Sequence, residues 1–149
     1  RFGSDHLYHV FHQTLVDILS ENGASVSLHP ASQGTSKDSF LCFQRRATND
    51  VVLDEHKIAG SAQRRWKKGL VQHGSILLEK SPFAPELPGL RDLAPFDMSP
   101  TALTMAWLKK LTSGLDLAFQ PAGLTDKERE CSDRLAQEKF ATDSWTNRR

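Results

Sequence analysis

The 149-residue chain has few cysteines, no large excess of charge of either sign and no long apolar run. Its two cysteines, Cys42 and Cys131, lack the spacing of a metal-ligand motif and give no disulfide framework. We therefore expect no metal site and a reducing, cytoplasmic setting. The formal net charge of +1 gives no field that would attract nucleic acid or a membrane surface, so neither is an expected partner.

Membrane insertion and secretion are also not expected. No apolar run approaches the roughly 20 residues of a membrane helix, and the start of the chain shows no signal-peptide pattern. The first residue is Arg1, with no initiator methionine before it. Because 38% of the residues are hydrophobic and 25% are charged, the composition is that of a globular protein. The length predicts a single domain, residues 1–149.

The first periodic segment is an amphipathic pattern at residues 5–22, which predicts a helix with a cap at Ser4 or Asp5 and an end at Gly23. A short strand is predicted at residues 24–28 and a loop at 29–39. Three histidines recur at three-residue spacing on the helix: His6, His9 and His12. That spacing suits a metal, but no carboxylate or cysteine completes a set nearby, so we interpret them as a solvated flank of the apolar stripe.

The central stretch, residues 50–78, predicts a hairpin and a returning strand. A β-branched run at 51–53 is followed by a polar turn and by a second run that begins at Lys57. That run ends in three small residues, Gly60, Ser61 and Ala62. A strand segment without bulky side chains suggests that another group approaches its backbone closely. Residues 63–68 are predicted to be a basic polar loop containing Arg64, Arg65, Lys67 and Lys68. The apolar segment at 69–78 is interrupted by Gln72, His73, Gly74 and Ser75.

Downstream, prolines predict irregular chain at 79–100, with a helical turn near 90–93. Ser99 and Pro100 begin a helix that Gly114 ends, and we place Trp107 of that helix in the core. Alternation predicts a strand at 115–120. A capping box, Thr125 with Glu128, begins a final helix that runs to residue 140. Cys131 on this helix is interpreted as a packing residue.

The segments KIAGSAQRR and QHGSILL resemble the lipoyl-specific form of the biotin and lipoate protein ligase superfamily. The resemblance implies an α/β (α+β) fold, a mixed β-sheet flanked by helices. It also implies that the motif lysine, Lys57 here, lies at the acyl carbonyl. Without the surrounding motif, the same lysine would be interpreted as an exposed residue of an ordinary hairpin.

Cys42 lies in the apolar tetrad of residues 40–43, where a cysteine is usually a small buried hydrophobe. In the octanoyltransferase branch of the superfamily, however, a cysteine followed by phenylalanine precedes the lysine hairpin and is the acyl-carrying nucleophile. FLCFQRRATND matches that placement, and an ammonium such as Lys57 near the sulfur favours the thiolate. The tail, KFATDSWTNRR, is similar to the end of the same branch.

The resemblance implies a course of reaction in protein lipoylation. Cys42 takes an octanoyl group from octanoyl-acyl carrier protein, and a lysine of a lipoyl-carrier domain then attacks the thioester. The carrier is the glycine cleavage H protein or a dehydrogenase E2 subunit. Lys57 holds the carbonyl, and backbone amides at residues 60–62 steady the oxyanion. No metal or nucleotide is required. His73, Gly74 and Ser75 join the substrate-binding set, although His73 is equally explained as a polar residue at a strand end.

Two other functions stay open. An ATP-dependent lipoate–protein ligase would use ATP and Mg²⁺ and need no cysteine, and a non-catalytic paralogue would only bind a carrier domain. The sequence departs from the family in one respect. In the family, a strand with Arg-Arg, a Gly-Gly pair and a downstream histidine precedes the first helix, and this sequence contains no such segment. We therefore expect the chain to be the C-terminal part of a longer catalytic domain.

Overall fold

The computed structural model describes residues 4–31, 41–67, 69–115 and 118–148. The helices are α1 (Ser4–Glu21), α2 (Leu90–Leu93), α3 (Pro100–Leu115), α4 (Asp126–Leu135) and α5 (Asp143–Thr146). The strands are β1 (Val26–Leu28), β2 (Val51–Leu53), β3 (His56–Trp66) and β4 (Gly69–Ile76). A 3₁₀ turn covers Cys42–Gln44 and a π-helical segment covers Ala136–Phe140. The chain forms two compact units, residues 1–118 and 119–149, and the predicted extent of one domain stays a prediction.

The strands form one four-stranded sheet in the order β1-β2-β3-β4, and every described pair is antiparallel. This confirms the predicted class of a sheet with helices. A two-residue turn with Asp54 at φ 51° joins β2 to β3. Val51 pairs with Ala59 and Val52 with Lys57, so Ile58 is an extra residue on β3. Such a bulge lets consecutive residues avoid strict alternation, and Ile58 and Ala59 are both buried.

Helix α1 supplies much of the core. Its apolar stripe buries Leu15, Ile18 and Leu19, which join residues of the sheet in one cluster. Full burial of a leucine or isoleucine side chain is worth about 1.5–3 kcal/mol. Gly23 has φ +89°, the left-handed conformation that the sequence predicts for the end of this helix. The predicted cap at residue 4 or 5 lies outside the described side chains.

Helix α3 packs on α1 and begins as predicted. The Ser99 hydroxyl accepts a hydrogen bond from the Ala102 N–H at 3.1 Å, and Pro100 occupies the first helical position, where its missing N–H costs nothing. The helical turn predicted near residues 90–93 is α2. Among the described residues, no helix combines the length and apolar character that a membrane crossing requires.

Two predicted elements are wrong. Residues 63–66 are not loop but the end of β3, because cross-strand pairs continue to Trp66 opposite Gly69 and the Gln63 amide donates to Gln72 at 2.8 Å. The strand predicted at 115–120 is also not found among the described residues of that range: Leu115 is the buried last residue of α3, and residues 118–120 are irregular. Residues 116 and 117 lie outside the described part of the chain. Lys68 and most of the loop predicted at 29–39 lie outside the described residues.

In the unit of residues 119–149, the predicted capping box is present: Thr125 Oγ1 accepts from the Glu128 N–H, and the Glu128 carboxylate accepts from the Thr125 N–H. The ring centroids of Phe140 and Trp145 lie 4.8 Å apart. The packing role assigned to Cys131 is wrong, because its side chain is exposed. Helix α4 buries none of its described side chains, so its sequence pattern did not indicate a packed face around Cys131.

Candidate functional site

Lys57 is not an exposed hairpin lysine. Its ammonium forms an ion pair with Asp50, with Nζ 2.7 Å from Oδ2, and the side chains are only 12% and 6% exposed. The same carboxylate oxygen accepts a hydrogen bond from the Ala47 N–H at 2.7 Å. Asn49, just before the aspartate, has φ 69° and turns the chain, so that β2 begins directly after Asp50. A buried charge pair with these additional bonds holds the lysine in one place.

Gly60 is small because Lys57 and Asp50 lie against its backbone. A Cβ atom at this position would come within 2.7 Å of Lys57 Nζ and 2.8 Å of Asp50 Oδ1. On the neighbouring strand, a Cβ at Gly74 would meet the Gly60 carbonyl oxygen at 2.4 Å. All three distances are shorter than van der Waals contact permits, so these two glycines do mark close approach to the backbone.

Cys42 is exposed and begins the 3₁₀ turn that packs beside β3. It is therefore not the small buried hydrophobe that its apolar neighbours suggested. The ring of Phe43, the next residue, lies 5.5 Å from Lys57 Nζ, within the range of a cation–π contact. The structure thus brings the turn that carries the thiol to the lysine of the motif.

A cavity of about 380 Å³ lies between α1, the β3–β4 hairpin and α3. This volume is within the range of small-molecule sites, about 300–1,000 Å³. Most of its side chains are apolar; among them are Phe11, Leu15, Ile76, Leu103 and Trp107. Five of the residues predicted to bind substrate line it: Gly60, Ser61, His73, Gly74 and Ser75. Ala62 pairs with His73 across the hairpin but is not among the described residues of the lining.

A smaller cavity of about 180 Å³ adjoins Lys57, and Phe43 and the Arg46–Glu55 ion pair line it. Lys57 therefore borders this polar cavity directly and touches Gly60, which lines the apolar one. The arrangement can hold an apolar chain in one cavity while a polar group reaches the ammonium from the other.

His12 was missed by the sequence reasoning, which placed it on a solvated flank. The side chain is 3% exposed and lines the large cavity. Its Nδ1 bonds the Asn49 carbonyl, which can only accept, so Nδ1 carries the hydrogen. Nε2 lies 2.9 Å from Ser61 Oγ. Burial lowers the pKa of His12 below 6.5, although the Asn49 carbonyl and Asp50 oppose that shift.

A neutral His12 accepts the Ser61 hydroxyl hydrogen at Nε2, and the Gln72 amide donates to the same hydroxyl oxygen at 3.0 Å. His12 therefore connects the turn that presents Asp50 to a polar strip on the cavity wall. The spacing of the histidines on α1 did not indicate that His12 is buried, since His6 and His9 on the same helix are exposed. Among the described residues, no group of three or more histidine, cysteine or acidic side chains could hold a metal ion.

Comparisons with known proteins agree with the motif. Residues 1–83 match the family model of the lipoyl protein ligase A/B catalytic domain. Octanoyltransferase LipM of Geobacillus kaustophilus is 30% identical, over 76% of this chain and 49% of the relative. Octanoyltransferase LipM of Kyrpidia tusciae is 28% identical, over 95% of this chain and 61% of the relative. The chain thus spans about half to three-fifths of the length of these relatives.

Solved structures agree in fold. Lipoate-protein ligase A bound with ATP superimposes with a TM-score of 0.68 at 18% identity, covering 97% of this chain and 60% of that one. The bi-partite lipoate protein ligase of Thermoplasma acidophilum gives a TM-score of 0.64, also at 18% identity, over 97% and 58%. Because the family model matches more than half of the chain, this protein belongs to the lipoyl protein ligase A/B catalytic domain family.

Proposed function

We propose that the protein is an octanoyltransferase of protein lipoylation, acting through a thioester on Cys42. The observation that supports the proposal is the contact between Phe43 and Lys57, because Phe43 belongs to the 3₁₀ turn that begins at the exposed Cys42. The similarity to proteins named octanoyltransferase LipM supports the same chemistry.

In the first half of the reaction, the Cys42 thiolate attacks the carbonyl of octanoyl-acyl carrier protein. A new C–S bond forms, and the bond to the carrier's thiol breaks, so that this thiol leaves with a proton. The Lys57 ammonium stabilises the negative charge on the carbonyl oxygen, since its ion pair with Asp50 fixes it in place. Ammonium groups held in a partly buried site act more strongly than they do in water.

In the second half, the neutral ε-amine of a lysine on a lipoyl-carrier domain attacks the thioester. An amide bond forms, the Cys42 thiolate leaves, and the amine loses a proton. The carrier domain is that of a glycine cleavage H protein or a dehydrogenase E2 subunit. Since the acyl group arrives already activated as a thioester, this course uses no nucleotide and no metal.

The apolar cavity binds the acyl chain during both halves. Its lining offers leucine, isoleucine and aromatic side chains to the methylene groups, each of which gains about 0.8 kcal/mol on leaving water. The substrate-binding set then comprises Gly60, Ser61 and the segment 73–75, with Ala62 on the hairpin beside them.

The test is a mass measurement. The whole protein, incubated with octanoyl-acyl carrier protein, should gain one octanoyl group that hydroxylamine removes, as expected of a thioester. Cys42→Ala should abolish the adduct. Cys131→Ala is the matched control, because that thiol is also exposed but lies beside Arg134 on α4, away from the lysine motif in sequence. An adduct that persists in Cys42→Ala, or that maps to Cys131, overturns the proposal.

A further inference from the structure

Trp107 of α3 is the largest side chain of the apolar cavity wall and is firmly held. Its indole Nε1–H donates to the Phe11 carbonyl at 3.1 Å and to Thr14 Oγ1 at 3.0 Å. The indole and the Phe11 ring meet edge to face, with centroids 6.0 Å apart and planes at 79°. A large aromatic held by bonds to a neighbouring helix presents a fixed surface, not an adaptable one.

The position of Lys57 indicates how an acyl group is oriented in the cavity. The lysine lies against Gly60 on the hairpin wall, whereas Leu103 and Trp107 of α3 form a wall on another element. An acyl group whose carbonyl is held at the Lys57 end therefore enters at the hairpin. The rest of the acyl chain then lies along the cavity, whose α3 wall carries the indole.

From this geometry we infer that Trp107 sets the acyl chain length that the protein accepts. The inference rests on the proposed function and names the specificity of the same cavity. An octanoyl chain ends at the indole, and a longer chain collides with it. The hydrogen bonds from Nε1 keep the ring from moving aside, so the limit on chain length is sharp.

The experiment compares octanoyl-, decanoyl- and dodecanoyl-acyl carrier proteins as donors. In wild-type protein, octanoyl should form the Cys42 adduct fastest. In Trp107→Ala, the rate ratio of decanoyl to octanoyl should rise tenfold or more, because a methylene group in a fitted apolar pocket is worth roughly that factor. Thr14→Val, which removes one of the two indole hydrogen bonds, should raise the same ratio by a smaller factor.

Leu111→Ala is the matched control. Leu111 is buried on the same helix, at 2% exposure, but does not line the cavity. It should loosen α3 while leaving the ratio unchanged. An equal ratio in wild type and Trp107→Ala, or an equal rise in Leu111→Ala, overturns the inference.

A second measurement leaves Trp107 in place and so does not depend on the stability of the Trp107→Ala variant. In the Trp66→Phe/Trp145→Phe background, Trp107 is the single remaining tryptophan of the chain. Acylation with 8-bromooctanoyl should quench its fluorescence strongly. Acylation with 4-bromooctanoyl should quench it weakly, because the bromine atom then lies nearer the carbonyl end. Equal quenching by the two isomers overturns the inference. A wild-type protein that forms no adduct at all contradicts instead the proposed function.

Discussion

At the scale of single residues, His12 couples stability to pH. Its folded pKa lies below the unfolded value of 6.5, because burial disfavours the imidazolium more than the Asn49 carbonyl and Asp50 favour it. As the pH falls, the unfolded chain binds the proton first. The contribution of His12 to the free energy of unfolding is therefore complete above pH 6.5 and is lost as the pH falls toward the folded pKa.

The expected result is a free energy of unfolding that declines as the pH falls below 6.5, by about 1.4 kcal/mol for each unit by which the pKa is lowered. His12→Gln should flatten that decline while lowering stability at neutral pH, where two hydrogen bonds are altered. Urea unfolding at several pH values measures both. His9→Gln, exposed on the same helix, is the control and should keep the wild-type slope; identical slopes in all three proteins contradict the prediction.

The Asp50–Lys57 pair makes a second residue-level prediction. Asp50→Asn should cost about 3–5 kcal/mol, because it leaves a buried ammonium without its counterion. Lys57→Met in the same protein should recover part of that loss, so the double mutant is less destabilised than the sum of the single ones. The recovered protein should still lack octanoyl adduct formation, since the ammonium at the carbonyl is gone.

Denaturant unfolding of the four proteins in the cycle gives the coupling free energy. The control cycle is the exposed pair Arg46–Glu55, whose atoms are 3.0 Å apart but whose side chains are 32% and 85% exposed. Coupling there should stay below about 1 kcal/mol. A similar coupling free energy for both pairs would contradict the prediction that burial strengthens the Asp50–Lys57 interaction.

These residues also show what the sequence could predict. Lys57 and the small residues after it were identified, because their pattern occurs within one short stretch. Asp50 was not recognised as the partner of the lysine, since their contact depends on the bulge at Ile58 and on the turn at Asn49. His12 was misplaced because its partners, Asn49 and Ser61, are far from it in the chain.

At the scale of elements, the end of the β3–β4 hairpin carries positive charge. Arg64, Arg65 and Lys67 are exposed, and none takes part in an ion pair among the residues the structure describes. Both carrier proteins of the proposed reaction are expected to be acidic. We predict that Arg64→Glu/Arg65→Glu lowers the association rate with either carrier roughly tenfold at low salt, with little effect on dissociation.

Stopped-flow association at several salt concentrations measures this effect, which should fade as the salt concentration rises. The control, Lys109→Glu/Lys127→Glu, makes the same change in net charge at exposed positions on other helices. A hairpin variant that associates no more slowly than the control removes the carrier-docking role.

The strength of the element predictions varied with the local signals. Helices α1 and α3 were predicted closely, because each combines an apolar stripe with a start or stop residue. The hairpin end was taken for a loop since charged residues have no strand signature of their own; pairing with β4 makes it a strand. The alternation at 115–120 predicted a strand, but Leu115 completes the buried face of α3 instead.

At the scale of the whole molecule, the cavity combines segments that are distant in sequence: α1, the hairpin and α3 each supply a wall. The resemblance identified the hairpin residues of this site, while the helical walls required the packing of α1 against the sheet and α3. The relatives in sequence are named octanoyltransferases, whereas the neighbours in fold are named lipoate protein ligases, one of them bound with ATP. The choice between the two chemistries therefore depends on how the acyl group is activated.

We expect transfer to a lipoyl-carrier domain to proceed from octanoyl-acyl carrier protein without ATP or Mg²⁺, at the same rate after both are added. The physical reason is that a thioester already holds the carbonyl carbon in an activated form, and Cys42 needs only to exchange one thiol for another. Lipoate-dependent exchange between ATP and pyrophosphate should stay at background. Mass spectrometry of the carrier and a radiolabel exchange assay measure the two quantities.

Cys42→Ala makes the comparison decisive. A ligase activates the free acid as an adenylate and has no use for the thiol, so this variant would keep its exchange activity and still modify the carrier. A transferase would lose amide formation altogether. Lys57 and the cavity alone would not restore it, because no sulfur atom would then hold the acyl group between the acyl carrier protein and the lipoyl-carrier domain. Nucleotide-dependent modification that survives the substitution would assign the protein to the ligases and leave Cys42 as an exposed thiol without a role in the reaction.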